Sequence, residues 1–208
     1  MGILGGMFNP PHAGHIELAR TALRELGLDR VLLTPASVPP HKPVIWDPGG
    51  EQRAQMCRIA SREDPGIEVS TVELERPGPS YTVDTLKSIQ IDQPDAQLTL
   101  ILGADMAVTL GSWREPQEIV SLARLAVADR EGVSRRQVLE ELEPLGGAGR
   151  IDFLSMRAHE VSSSQVRRRL TCGQPIDALV GADVAAYIDE QGLYGHTSRT
   201  SSVAGGGQ

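Results

Sequence analysis

The sequence predicts a doubly wound α/β fold built on a parallel sheet, and three observations predict it. Short apolar runs of strand length alternate with longer stretches of helical periodicity along the chain. The first 35 residues already hold a strand, a helix and a second strand, the spacing of a βαβ unit. No internal repeat is present, so the alternation describes one sheet rather than an array of units.

Ile3-Leu4 is a short apolar run closed by Gly5-Gly6, which reads as a strand ending in a turn. From Ala13, the positions Ile16, Ala19, Leu23 and Leu26 recur at helical spacing, and Gly27 ends the helix. Val31-Leu32-Leu33 is a buried strand ended by Pro35. The stretch from Pro35 to Gly50 holds five prolines and reads as a loop, long enough for a lid or a binding loop. Residues 51–63 read as a helix, and Ile67 to Val72 alternates like a strand. A helix over 82–90 and a core strand over Leu98 to Leu102 follow. Helical character returns at 104–109 and 116–122. Leu125 to Ala128 is a strand, 134–143 a helix and Ile151 to Leu154 a strand, and helices at 162–171 and 182–190 close the fold. Residues 1–194 are expected to form one domain. The tail from Gly195 is rich in Ser, Thr and Gly and is expected to be disordered.

Composition narrows the function. Twenty Lys and Arg against 27 Asp and Glu give a net charge of -7, which argues against a general nucleic-acid binder. A local basic pocket for a small anion is still compatible with it. Cys57 and Cys172 form no CxxC pattern and do not suggest a disulfide framework. No apolar stretch is long enough to span a membrane, and Met1 leads into Gly2-Ile3-Leu4-Gly5 without a basic leader. A cytoplasmic location is expected.

Ligands of doubly wound sheets bind at the carboxyl ends of the strands. That rule brings together Gly5 to His15, Pro35 to Pro43, Gly103-Ala104-Asp105 and Val161 to Arg169. The first of these is Gly5-Gly6-Met7-Phe8-Asn9-Pro10-Pro11-His12-Ala13-Gly14-His15. Glycines let a backbone turn tightly and approach a ligand. A helix start offers N–H groups and partial positive charge to an anion. His12 and His15 add donors on one helix face. Taken alone, the segment also fits a simple turn with surface histidines. An i, i+3 histidine pair can hold zinc as well, but no third ligand is evident and the pattern is not HExxH, so no metal site is expected. Neither GxxxxGK[ST] nor GxGxxG follows the first strand.

Gly5 to His15 resembles the GG[TS]F[DN]PxHxGH signature of the nucleotidyltransferase superfamily, with HxGH present as His12-Ala13-Gly14-His15. Met7 departs from the usual Thr or Ser, and Asn9 stands where Asp is commoner. A second segment, Val161-Ser162-Ser163-Ser164-Gln165-Val166-Arg167, is in isolation a serine-capped basic helix. It is similar to the superfamily's [IV]S[SA][ST]xxR signature at every fixed position. The resemblance implies an ATP site formed by Gly5, Gly6, Met7, Phe8, His12, His15, Gly103, Asp105, Ser163, Ser164 and Arg167. It implies that His12, His15 and Arg167 carry the catalysis, with Mg²⁺ arriving on ATP. Arg168 and Arg169 are expected to be solvated or structural.

Three further segments narrow the acceptor. Pro79-Ser80-Tyr81-Thr82-Val83-Asp84-Thr85-Leu86 resembles the P[ST]YTxDTL motif of nicotinate-nucleotide adenylyltransferases. Gly103-Ala104-Asp105 with Trp113 resembles their GAD…W pattern, and Pro35 to Lys42 their P…PPHK loop. The resemblance runs from Gly2 to about Tyr194. It implies adenylyl transfer from ATP to nicotinate mononucleotide, giving deamido-NAD and pyrophosphate, within a Rossmann-like fold. Lys42, Tyr81, Thr82, Thr85 and Trp113 would then bind the acceptor, with Trp113 stacked on the pyridine ring and the helix start at Thr82 facing the carboxylate. Each also has a plain structural reading, as a loop charge, as helix caps or as core. Arg130 would lie near the adenine. A pantetheine-phosphate adenylyltransferase and a silent nucleotide-binding protein are the rival readings; Tyr81 to Thr85 with Trp113 stand against the first, and intact His12, His15 and Arg167 against the second. Nucleic acid and membrane are not expected as partners, and a homo-oligomer is compatible with the sequence.

Overall fold

Strand β1 (Gly2–Gly6) lies at the centre of a six-stranded sheet in which every pairing is parallel. The remaining strands are β2 (Val31–Pro35), β3 (Ile67–Val69), β4 (Leu98–Gly103), β5 (Ala123–Ala128) and β6 (Ile151–Leu154). Their spatial order is β3-β2-β1-β4-β5-β6. This is the doubly wound order, in which the chain reverses direction across the sheet between β1 and β4. The computed structural model describes residues 1–39, 46–156 and 161–195. His41 and Lys42 of the proline-rich loop, and the tail after Gly195, lie outside the described residues.

Strand alternation divides the apolar residues between two faces. Ile3, Leu98, Leu100, Leu102, Leu125 and Val127 enter one core. It is covered by α4 (Thr82–Asp92), α5 (Ala104–Ala107), α6 (Pro116–Leu122) and α7 (Arg135–Leu142). Leu4, Leu33, Ile101, Ala126 and Leu154 enter the other, against α1 (Ala13–Leu26) and Cys57 of α2 (Gly50–Ala60). Gly2 belongs to this close packing: a Cβ there would come within 2.7 Å of Ile101 and 2.9 Å of Val31. A third apolar cluster joins Met56 of α2 to α8 (Ser163–Thr171), α9 (Asp177–Val180), α10 (Ala182–Glu190) and Tyr194. Among the described residues, no helix is long and apolar enough to cross a membrane. Cys57 is buried and Cys172 exposed, both as free thiols.

The expected elements are present, with two corrections. The strand read from Ile67 to Val72 stops at Val69, and Val72–Glu75 forms a helical turn, α3. β3 pairs on one side only, with β2, and Ser70 gives its N–H to the Leu33 carbonyl as the last link. Thr71 then turns the chain, its carbonyl accepting from the N–H groups of Leu74 and Glu75. The helix read over 51–63 ends at Ala60, where the Ser61 hydroxyl caps the Cys57 carbonyl at 3.0 Å.

Candidate active site

β1 delivers Gly5 and Gly6 to the carboxyl edge of the sheet, next to the end of β4 at Gly103. Gly5 is exposed, and a Cβ on it would meet nothing within 4 Å. The loop then turns sharply. Phe8 holds a left-handed backbone at φ 47° and is only 1% exposed. Its ring meets His15 edge-on at 4.9 Å between centroids. Such a backbone costs a non-glycine residue energy, and it is kept here by the burial of the aromatic ring.

His12 caps α1, and its ring stacks on His15 at 3.7 Å. The His12 backbone N–H donates to His15 Nδ1 at 3.2 Å, while the His15 N–H donates to the His12 carbonyl at 2.9 Å. A neutral imidazole that accepts at Nδ1 carries its proton on Nε2. His15 is therefore fixed as a donor at Nε2. Enclosure, and then the nearness of His12 and of Arg130 just past β5, hold its pKa well below the usual histidine range. The ring is neutral at pH 7 in the free protein.

Donors from distant elements hold the loop. Ser163 Oγ donates to the Pro10 carbonyl at 2.8 Å, and Arg167 Nη1 to the Asn9 carbonyl at 2.6 Å. Arg167 Nη2 donates to Ser164 Oγ at 3.1 Å. Tyr194 Oη donates to Asn9 Oδ1 at 2.8 Å. The cap of α8 is Ser162, which accepts from the Gln165 N–H at 3.2 Å. Ser163 and Ser164 are thus left in the first turn of that helix.

A cavity of about 440 Å³ opens beside the loop. Gly5, Gly6, Met7, Phe8, His15 and Ser163 line one part of it. Tyr81, Thr82, Thr85, Trp113 and Arg114 line the other. Tyr81 caps α4, so Thr82 and the residues after it form that helix's first turn. The Thr85 hydroxyl donates to the buried carboxylate of Glu73 at 2.7 Å, which commits it within the wall. Trp113 donates from Nε1 to Thr109 Oγ1 at 3.0 Å. Arg114 lies 4.8 Å above the Tyr81 ring and 3.6 Å from Asp84.

His12, Gly103, Asp105, Ser164 and Arg167 do not line this cavity. His12 and Arg167 stand behind it as supports of His15 and of the loop. Asp105 opens α5 and is exposed, its carboxylate folded back so that a Cβ on Gly103 would come within 2.5 Å of Oδ1. Lys42 is outside the described residues. Glu73, Arg114, Tyr194 and the buried Arg53 were not singled out in the sequence. Of these, only Arg53 carries a local signal, as a charge among the apolar positions Ala54, Met56 and Cys57 of one helix. Among the described residues, no group of three or more His, Cys, Asp and Glu side chains is placed to hold a metal ion.

Residues 3–169 match the model of the cytidylyltransferase-like family. The nicotinate-nucleotide adenylyltransferase of Bacillus subtilis is 36% identical over 194 residues, covering 93% of this chain and 97% of that protein. A probable nicotinate-nucleotide adenylyltransferase of Roseiflexus is 40% identical over 195 residues, with the same coverage. Among solved structures, the Plasmodium falciparum nicotinic acid mononucleotide adenylyltransferase complexed with NaAD superposes with a TM-score of 0.76. Its identity is 19%, over 94% of this chain and 97% of that one, and it supports the fold alone. Sequence signatures, sheet order and relatives agree: the chain belongs to the nicotinate-nucleotide adenylyltransferase family, within the cytidylyltransferase-like proteins.

Proposed function

We propose that the protein transfers the adenylyl group of ATP to nicotinate mononucleotide, releasing pyrophosphate and forming deamido-NAD. One observation carries the reading beyond family membership. A single cavity at the sheet's switch point joins the Gly5–His15 loop to the helix start at Thr82 and to Trp113. That is a phosphate wall facing a wall suited to a flat, anionic ring.

In this reading, residues 1–194 work as one nucleotidyltransferase domain. An oxygen of the mononucleotide phosphate attacks the α-phosphorus of ATP in line. The bond from that phosphorus to the β-bridging oxygen breaks, and pyrophosphate leaves with the electron pair. No protein nucleophile is required, so catalysis consists of positioning and charge stabilisation. His15 offers Nε2–H to the α-phosphate, and His12 holds it in place and adds charge. Ser163, Ser164 and Arg167 receive the β- and γ-phosphates once ATP competes for their donors. Gly103 and Asp105 serve the nucleoside. Tyr81, Thr82 and Thr85 receive the nicotinate carboxylate through the N–H groups at the start of α4, where the helix dipole favours an anion. Trp113 stacks on the ring, and Lys42 meets the acceptor phosphate. Nucleotidyl transfer from ATP generally uses a divalent metal; Mg²⁺ enters here as part of the substrate, bound to the phosphates. The reaction is placed in the cytoplasm.

The deciding measurement is pyrophosphate release from MgATP with three acceptors. Turnover on nicotinate mononucleotide well above that on nicotinamide mononucleotide is expected, with none on phosphopantetheine. Turnover on phosphopantetheine alone, or ATP binding without turnover on any acceptor, overturns the reading.

A further inference from the structure

We propose that Arg53 is a positioning residue for this transfer, its buried guanidinium setting the peptide between Met7 and Phe8 in the phosphate loop. The inference rests on the functional reading above. Arg53 lies on α2, is 1% exposed, and is the largest fully buried side chain among the described residues. A buried cation is costly unless it is paired and hydrogen-bonded, and an apolar chain of similar length would fill the same space without that cost. The charge therefore needs a reason.

The hydrogen bonds supply one. Nε donates to Asp47 Oδ1 at 2.8 Å, and Nη1 donates to the Met7 carbonyl at 3.0 Å. Asp47 Oδ1 is itself fixed by the Gly49 N–H at 3.0 Å, immediately before α2 begins. The planar guanidinium is thus anchored at one edge and holds a backbone carbonyl from another. Its fork geometry allows both at once, which a lysine ammonium cannot reproduce.

Met7 is where the loop most needs such a hold. The side chain there lacks the hydroxyl usual at this position, so what residues 7 and 8 offer a phosphate is backbone N–H. In a trans peptide the carbonyl and the following N–H point in opposite directions. Fixing the Met7 carbonyl toward Arg53 aims the Phe8 N–H away from it. Both Met7 and Phe8 line the cavity. Asn9 and Pro10 have their own holders in Arg167, Tyr194 and Ser163. Arg53 is the one that reaches the loop from α2 and at its first turn.

The test compares Arg53→Lys with Met56→Ala in the full chain. Met56 is fully buried on the same helix and packs in the cluster of Val166 and Tyr194, so its truncation is a control for lost packing around α2 without loss of a donor to the loop. Melting temperature, kcat and both KM values are measured well below the melting point. Arg53→Lys is expected to lower kcat/KM for ATP about tenfold, with KM for nicotinate mononucleotide within about twofold of the parent. Met56→Ala is expected to melt earlier and keep both kinetic constants within about twofold. Parent-like ATP kinetics in folded Arg53→Lys, or an equal loss in Met56→Ala, overturns the inference. Should Arg53→Lys not fold, Arg53→Met decides, since it suits the buried position and removes both donors; an ATP-specific loss of at least tenfold is expected, and parent-like kinetics overturns the inference. If the unmodified protein releases no pyrophosphate from ATP and nicotinate mononucleotide, it is the functional reading that fails.

Discussion

His12 fixes the ring of His15 by giving its backbone N–H to Nδ1 at 3.2 Å while stacking on it at 3.7 Å. The one histidine thereby decides which nitrogen of the other can donate. His15 lines the cavity with its proton on Nε2, and under the proposed mechanism that N–H meets the α-phosphate, so replacing the ring removes a preorganised donor. His15→Ala is expected to lower kcat by roughly 10²-fold or more, the usual cost of losing one such donor. Steady-state kinetics on the folded variant checks this, and near-parent turnover removes His15 from the mechanism.

The lowered pKa of His15 also has a sign in stability. In the unfolded chain a histidine takes up its proton below about pH 6.5. In the folded protein enclosure, then His12 and Arg130, delay that uptake to lower pH. The unfolded state therefore binds more protons in the window between, and stability falls as pH drops through it. The contribution is complete above the unfolded value and is lost by up to about 1.4 kcal/mol per pH unit below it. Denaturant melts at pH 7.5 and 5.5 should show the parent losing more stability than His15→Ala. Equal losses would place the ring in a solvated setting.

Under the proposed function, Gly5 is a glycine for the ligand rather than for the fold. Its Cβ would meet no atom within 4 Å, yet it lines the cavity. Gly5→Val should change stability by no more than about 0.5 kcal/mol, as for ordinary surface positions. The two added methyl groups intrude on bound phosphate, and kcat/KM for ATP should fall about tenfold or more, equivalent to about 1.4 kcal/mol of transition-state binding. A melting curve and a kinetic run on the same sample separate the two effects.

Gly103 is a glycine for Asp105. A Cβ there would come within 2.5 Å of the Asp105 carboxylate, which can swing away because it ends a short side chain. Gly103→Ala should therefore fold normally and weaken ATP about tenfold, with the effect absent in an Asp105→Ala background. An undiminished loss in the double variant would assign the effect to the backbone instead.

The sheet was legible because each strand is an apolar run bounded by turn residues, as in Val31 to Pro35 and Leu98 to Gly103. Beyond Val69 the same alternation continues in the sequence, and β2 runs on to Pro35, whose nitrogen carries no N–H; the chain turns instead, the Thr71 carbonyl accepting from Leu74 and Glu75. Pattern alone does not reveal where pairing with a neighbouring strand ends. α9 spans four residues, too few to show a period. At the site, the glycines, histidines and serines were readable because their spacing is local. Arg53 and Tyr194 reach the loop across 46 and 185 residues of sequence, and no local pattern records such a contact. Glu73 was hidden for the same reason, since its tie to Thr85 spans 12 residues and starts from a helical turn too short to show a period.

The tie from Tyr194 to Asn9 also sets an order in time. The loop from Gly5 to His15 is synthesised before two of its holders, Arg167 and Tyr194. A nascent chain that has just released β6 already has all six strands but lacks Ser163, Arg167 and Tyr194, which hold residues 9 and 10. Removing residues 163–194 is expected to abolish pyrophosphate release, since the three holders of residues 9 and 10 go with them.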